Sequence, residues 1–319
     1  MRCKSRSCGF FILAVFVAGA VGARPLRANV FYGTNTAGGV LYRISSTGAA
    51  SVFVSGLNNP SALAVAPDGN VFVQTTTTSD LASDRMILLV TPQGSTSTVL
   101  SGLPNPYFVG SGFNTPPRAF YDGLAVDSHG DLFIANPPLG FPEAAHQTVP
   151  PALPVGVLEL KTDGTLTNIA QDIEPLALAI DRQDNLFASM GDSWSISKIT
   201  PTGVNSTFYT NPAFKVTSLV ADSQGNLIFN SLGLVKLNPQ GQFTTLNAGV
   251  GGALGIDRND NVLVASDGLY KVSPSGVAVK LSSFSFANHI AILVPEPSSW
   301  ILLGLGAGLF AAFRALRKR

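Results

Sequence analysis

Two cysteines are all that the 319 residues contain, and both, Cys3 and Cys8, fall within the first eight positions. The rest of the chain has no thiol for a disulfide or a thiolate metal site, so its stability must come from its core. Charge is scarce too: Asp, Glu, Lys and Arg make up 12% of the chain, against about 25% in an ordinary soluble domain. The histidines are only His129, His146 and His289, and no Gly-x-Ser-x-Gly stretch occurs, so no nucleophile constellation is visible. Five Lys and Arg residues precede Asn29 and four follow Val294, leaving a middle with 18 acidic and 11 basic residues, net −7. A mildly acidic body excludes the electrostatic footprint of a nucleic-acid-binding domain. Its sign suits divalent cations or neutral sugars better than polyanions.

Long apolar runs are confined to the ends. Arg2, Lys4 and Arg6 precede the apolar residues 10–18, and small residues follow, which is the order of a secretory signal peptide. Residues 1–28 are therefore expected to be removed, with cleavage after Ala23 or Ala28. At the other end Val294-Pro295-Glu296-Pro297-Ser298-Ser299 leads into the uncharged residues 300–313, then Arg314, Arg317, Lys318 and Arg319. A bilayer crossing takes about 20 residues, so the predicted transmembrane helix, 299–316, draws on both edges of the run. The terminal Arg and Lys cluster favours the cytoplasmic side and puts everything before Val294 outside. Gly304 and Gly308 form a GxxxG helix-packing pattern. This polar, apolar, basic order, with Pro295, Glu296 and Pro297 at its head, resembles the PEP-CTERM sorting tail of Gram-negative bacteria. The resemblance implies export, anchoring in the inner membrane by the C-terminal helix, and processing by a membrane protease, the exosortase, before release to the cell surface or extracellular matrix.

Between the ends, over residues 29–293, the chain repeats. Leu124-Ala125-Val126-Asp127-Ser128-His129-Gly130-Asp131-Leu132-Phe133 has counterparts beginning at Leu63, Leu178, Leu219 and Leu254. Each is an apolar strand, a turn of Asp, Gly and Asn, and a second apolar strand, since these residues tolerate the left-handed backbone of tight hairpins. Asp127, Asp181, Asp222 and Asp257 recur at the same turn position and are expected to cap backbone, not to act as catalytic carboxylates. A second hairpin turns at Gly48, Gly94, Gly164, Gly203, Gly241 and Gly276. Two hairpins make four antiparallel strands per unit, the signature of a propeller blade. Six such turns imply an all-β, six-bladed β-propeller. The segment 29–33 reads as a second strand with no first, and 289–292 as a first strand with no second, so both ends of the domain should complete one blade. The large Leu63, Leu124, Leu178, Leu219 and Leu254 alternate with small Ala64, Ala125 and Ala179, Val220 and Gly255, which permits crowding around an axis. By this pattern the domain resembles NHL-repeat and gluconolactonase-like propellers.

In a four-stranded meander the two tight turns share one face. The insertions 74–84, 103–121 and 136–154 belong to the other. There Tyr107, Phe108, Phe113, Phe120, Tyr121 and Phe141 are expected either to wall a binding site or, with the many prolines around them, to form stiff covering loops. Gluconolactonase-like propellers hold a divalent metal at the axial mouth, and the resemblance implies Asp122, Glu174, Asn136, Asn230, Asp267 and His289 as candidate ligands, suited to Ca²⁺. The glutamate that this family carries near the first blade is missing from residues 29–39. His129 and His146 read as solvated loop residues, and His289 either fills the channel or serves as ligand or base. Thr75-Thr76-Thr77-Thr78 reads as a strand end, because consecutive threonines point to opposite faces. The function expected is non-catalytic binding of carbohydrate, exopolysaccharide or protein at the envelope. The alternative is a metal-dependent lactonase, hydrolase or lyase.

Overall fold

Twenty-four strands, β1 (Val30–Asn35) to β24 (His289–Leu293), make six four-stranded antiparallel sheets. The computed structural model describes residues 30–36, 38–78, 84–103, 123–137, 153–171, 173–191, 195–210, 216–231, 233–283 and 289–293. Blade 1 has the order β24-β1-β2-β3, so the last strand pairs with the first, Leu293 opposite Val30 and His289 opposite Thr34. Blades 2 to 6 are β4–β7, β8–β11, β12–β15, β16–β19 and β20–β23. The innermost strands β4 (Leu63–Val65), β8 (Leu124–Val126), β12 (Pro175–Ile180), β16 (Leu219–Ala221), β20 (Ala253–Ile256) and β24 contact one another in a closed ring. The expected propeller and its closure by both ends of the domain are what the backbone adopts. The signal segment 1–28 and the predicted helix 299–316 lie outside the described residues. Among the described residues no helix is long and apolar enough to cross a membrane.

The hydrophobic core consists of six layers, one between each pair of neighbouring blades. Ala125 and Phe133 of blade 3 meet Leu178, Leu186 and Ile199 of blade 4. Ala179 and Phe187 of blade 4 meet Leu219, Leu227 and Leu237 of blade 5. In each case the small residue of one inner strand receives the leucine of the next, which explains the large and small alternation. At Gly123 even this is too much: a Cβ there would lie 2.8 Å from the backbone nitrogen of Leu178.

The outer hairpins contain a feature the repeat did not announce. In every blade the pairing of the third and fourth strands slips at a β-bulge, and in blade 2 it slips a second time; a residue skipped in each is Phe53, Val99, Ile169, Phe208, Leu246 or Leu281. All six are apolar residues on solvent-edge strands, and each packs into the layer against the following blade. A bulge bends and twists its strand. Here it lets the outermost strand contribute one side chain to the core, and it blunts the edge against pairing with other chains. Phe208 also meets Phe187 edge to face, ring centroids 5.1 Å apart. Phe208→Ala is expected to cost about 2 kcal/mol, below the full core range for Phe because the ring is half-buried; urea unfolding measures it.

Candidate functional site

The six glycine turns of the second hairpins all have positive φ, and each glycine N–H closes the turn onto the carbonyl three residues earlier, as Gly203 does to Thr200 at 2.8 Å. The first hairpins lie on the same face. Asp127 Oδ1 accepts from the N–H of His129 and of Asp131, both at 2.9 Å, and Asp181, Asp222 and Asp257 repeat the arrangement. These aspartates are structural caps. Two turns go further and put an aspartate in the left-handed region, Asp184 (φ 57°) and Asp260 (φ 59°). Each is held there by the preceding blade: Ser128 donates its N–H and hydroxyl to Asp184 at 2.9 and 2.7 Å, and Ser223 does the same to Asp260. His129 is an exposed residue of this face, its Nδ1 3.5 Å from Asp127 Oδ2.

Asp222 is buried and meets Lys236 Nζ at 2.7 Å. Burial alone would raise its pKa, but the hydrogen bonds from Lys236 and from Asn226 outweigh it and hold the carboxyl below its ordinary value. A carboxyl with a lowered folded pKa contributes stability above the unfolded value and loses it as pH falls through the folded one. Urea midpoints are thus expected to drop as pH is lowered below the ordinary aspartate range, and the Asp222→Asn variant should drop less over the same interval.

The opposite face, the loop face, carries the chemistry of the axial mouth. Register places Ala62, Gly123, Ala177, Ser218, Ala253 and His289 at equivalent positions of the inner strands. Facing them on the second strands are Gln74, Ala135, Ser189, Asn230, Ala265 and Thr34. Apart from His289 the inner positions hold small residues, and four of the six on the next strand, Gln74, Ser189, Asn230 and Thr34, carry an amide or hydroxyl. At blades 1 to 3 these groups join one buried network centred on Arg85, which is 1% exposed. Arg85 Nη1 donates to Gln74 Oε1 at 3.0 Å and to the Ala135 carbonyl at 3.4 Å, and Nη2 donates to Asn136 Oδ1 at 2.9 Å. Gln74 Nε2 donates to Ser61 Oγ, and the Ser61 carbonyl accepts from Thr34 Oγ1. Asn136 Nδ2 donates to the carbonyls of Leu153 and Pro154 at 3.3 and 3.1 Å. Arg85 follows the first insertion, and Asn136 ties the start of the third to its end. The network is the root from which two insertions rise. Sequence reasoning passed over Arg85, although a charge heading the apolar run Met86-Ile87-Leu88-Leu89-Val90 was a signal.

The candidate metal ligands occupy different settings. Asn136 is buried, and its amide is taken up by Arg85 and two carbonyls. Asp267 is exposed and accepts from Tyr270 Oη at 2.8 Å and Lys280 Nζ at 3.0 Å, which hold its carboxyl below the usual range. Glu174 is half-buried, its carbonyl accepting from the Gly191 N–H. Asn230 differs from these: its Oδ1 is buried with no hydrogen-bond partner among the described residues, and a Cβ on Gly251 would stand 2.5 Å from it. His289 occupies the inner ring opposite Thr34. Among the described residues no three His, Cys, Asp or Glu side chains gather as a metal site. Asp122, His146 and the aromatic residues Tyr107, Phe108, Phe113, Phe120, Tyr121 and Phe141 lie outside the described residues, as do Pro295, Glu296, Pro297, Arg314, Arg317, Lys318 and Arg319.

Comparison with known proteins agrees with both halves of this picture. Residues 293–319 match the family model of the PEP-CTERM protein-sorting motif. No curated protein sequence matches the chain. Among solved structures, TolB from Acinetobacter baumannii superposes with a TM-score of 0.58 at 10% identity, over 83% of this chain and 66% of that one. A streptogramin B lyase gives 0.54 at 12% identity, over 82% and 83%. A gluconolactonase from Xanthomonas campestris gives 0.53 at 18% identity, over 75% and 84%. At such identities the likeness is one of fold. The protein is a six-bladed β-propeller of four-stranded antiparallel blades. It ends in a PEP-CTERM sorting motif, which implies export, a membrane-anchored sorting signal and processing by an exosortase.

Proposed function

We propose that this is an exported propeller, anchored at the envelope or released from it, that binds a carbohydrate, exopolysaccharide or surface protein without catalysis. The observation that carries the reading is the chemistry of the loop-face mouth. Among the described residues, Gln74, Ser189, Asn230 and Thr34 bring amides and hydroxyls to it beside Glu174 and His289, and two ionised groups are engaged in structure: Arg85 with Gln74 and Asn136, Asp267 with Lys280 and Tyr270. Neutral donors and acceptors at this end of the ring suit hydroxyl-rich ligands, and the three insertions would supply the rest of the contact. Replacing residues 138–152 by a short Gly-Ser linker is expected to abolish binding on a glycan array while leaving the thermal transition in place. Unchanged glycan binding by that variant would sink this reading.

One observation favours the alternative, a divalent-metal lactonase, hydrolase or lyase. Asn230 Oδ1 is a buried oxygen without a partner among the described residues, and such an atom is commonly satisfied by something bound. A divalent ion recovered in stoichiometric amount with the protein, and lost on Asn230→Ala or Glu174→Gln, would support it. On either reading the segment 1–28 is a signal peptide and 299–316 the membrane helix of the tail.

A further inference from the structure

Strand direction fixes where the sorting tail leaves the propeller. β24 is the innermost strand of blade 1 and runs from the loop face, where His289 pairs with Thr34, to the face of the tight turns, where Leu293 pairs with Val30. The tail therefore departs from the tight-turn face, next to the axis. From Leu293 to the first apolar residue of the tail, Trp300, the tether is Val294-Pro295-Glu296-Pro297-Ser298-Ser299. Six residues reach at most roughly 20 Å, at 3.3–3.6 Å each.

That reach is short compared with the body it holds. The tight-turn face is level, because its hairpins close by bonds across three or four residues, such as Gly94 N–H to Thr91 and Asp260 N–H to Asp257. The strand ends that flank all three long insertions lie at the other face. The exposed charges of the tight-turn face are mixed: Asp68, Asp163, Arg182 and Arg258 face solvent, Arg182 pairs with Asp260 at 3.9 Å, and the recurrent aspartates Asp127, Asp181, Asp222 and Asp257 are turned inward as buried caps, so it is reach and strand direction that orient the face.

Resting on the tail anchoring proposed above, we infer that the tight-turn face lies against the phospholipid headgroups for as long as the tail is attached, and that the loop face with its insertions points away from the membrane. The anchor thus presents the candidate ligand mouth outward. It also puts the Pro295-Glu296-Pro297 motif in the gap between this face and the bilayer, where a membrane protease would have to work.

The test uses the full chain with Cys3→Ser and Cys8→Ser, carrying one new cysteine labelled with a fluorescent donor. Ser46→Cys and Gln183→Cys report the tight-turn face from opposite sides of the ring, and Thr77→Cys and Ala248→Cys report the loop face in the same way. All four positions are exposed. The protein is reconstituted into vesicles of phosphatidylethanolamine and phosphatidylglycerol carrying a headgroup-linked acceptor. The two faces are separated by strands of five or six residues, about 17–20 Å at 3.3 Å per residue. Energy transfer several-fold stronger from both tight-turn positions than from both loop positions is the expected result. Equal transfer from the two faces, or stronger transfer from Thr77 and Ala248, with the protein still floating with the vesicles, overturns the orientation alone. Failure to float overturns the anchoring and the orientation with it.

Discussion

A chain ending at residue 283 should lose its cooperative thermal transition, whereas one ending at residue 293 should melt like the full-length protein. The difference is a single strand. Without β24, β1 has no inner neighbour and the inner ring has a gap between β20 and β4. Ile290 leaves the layer it shares with Phe31, Ile44 and Leu263, and Ala291 leaves the one shared with Tyr32 and Leu63. Two of the six core layers open to water at once. Marginal stabilities of about 5–15 kcal/mol do not survive such a loss. Circular dichroism on heating tests it, and a truncation at 283 that melts sharply at the wild-type temperature would contradict the closed ring.

Replacing Arg85 by Ala is expected to be among the most damaging point changes in blades 2 and 3, at about 3–5 kcal/mol, because a large buried side chain and several buried hydrogen bonds are lost together. The guanidinium donates to Gln74, Ala135 and Asn136, so its removal strands three buried acceptors, each costing about 1–3 kcal/mol unless water enters. It also leaves a cavity the size of the largest fully buried side chain. Arg85→Met should recover the volume without the donors and fall between the two. Urea denaturation of the three proteins orders them. The same substitutions should raise proteolytic cleavage within 138–152, because Asn136 would lose the partner that orients its clamp on Leu153 and Pro154.

The fold was legible because it is repetitive and its punctuation is chemical. Glycine at Gly48, Gly94, Gly164, Gly203, Gly241 and Gly276 is required by positive φ, and aspartate at Asp127, Asp181, Asp222 and Asp257 by the backbone N–H groups it accepts from. Six-fold recurrence of such requirements counts blades. The bulges were not legible, since Phe53 or Leu246 in an edge strand differs in no local way from an ordinary apolar residue; only pairing register reveals the slip. The mouth was half legible. Its positions follow from strand equivalence, which puts Asn230, Gln74 and Ser189 at one level. What those side chains do is set by partners distant in sequence, as when Arg85 reaches Asn136 across 51 positions. Asn136 and Asp267 are ligand candidates by residue type, and what the sequence did not show is that Asn136 bonds Arg85 and Asp267 bonds Tyr270 and Lys280.

The strand that completes blade 1 is also the last of the domain to be made. Until residues 289–293 have emerged, no arrangement of the preceding 23 strands can seal the ring. A chain exported while still being threaded through the membrane would remain an open, unlocked series of hairpins over nearly its whole passage. It would lock only when the sorting tail itself reached the bilayer, so that the maturation of the domain and the arrival of its address coincide in time.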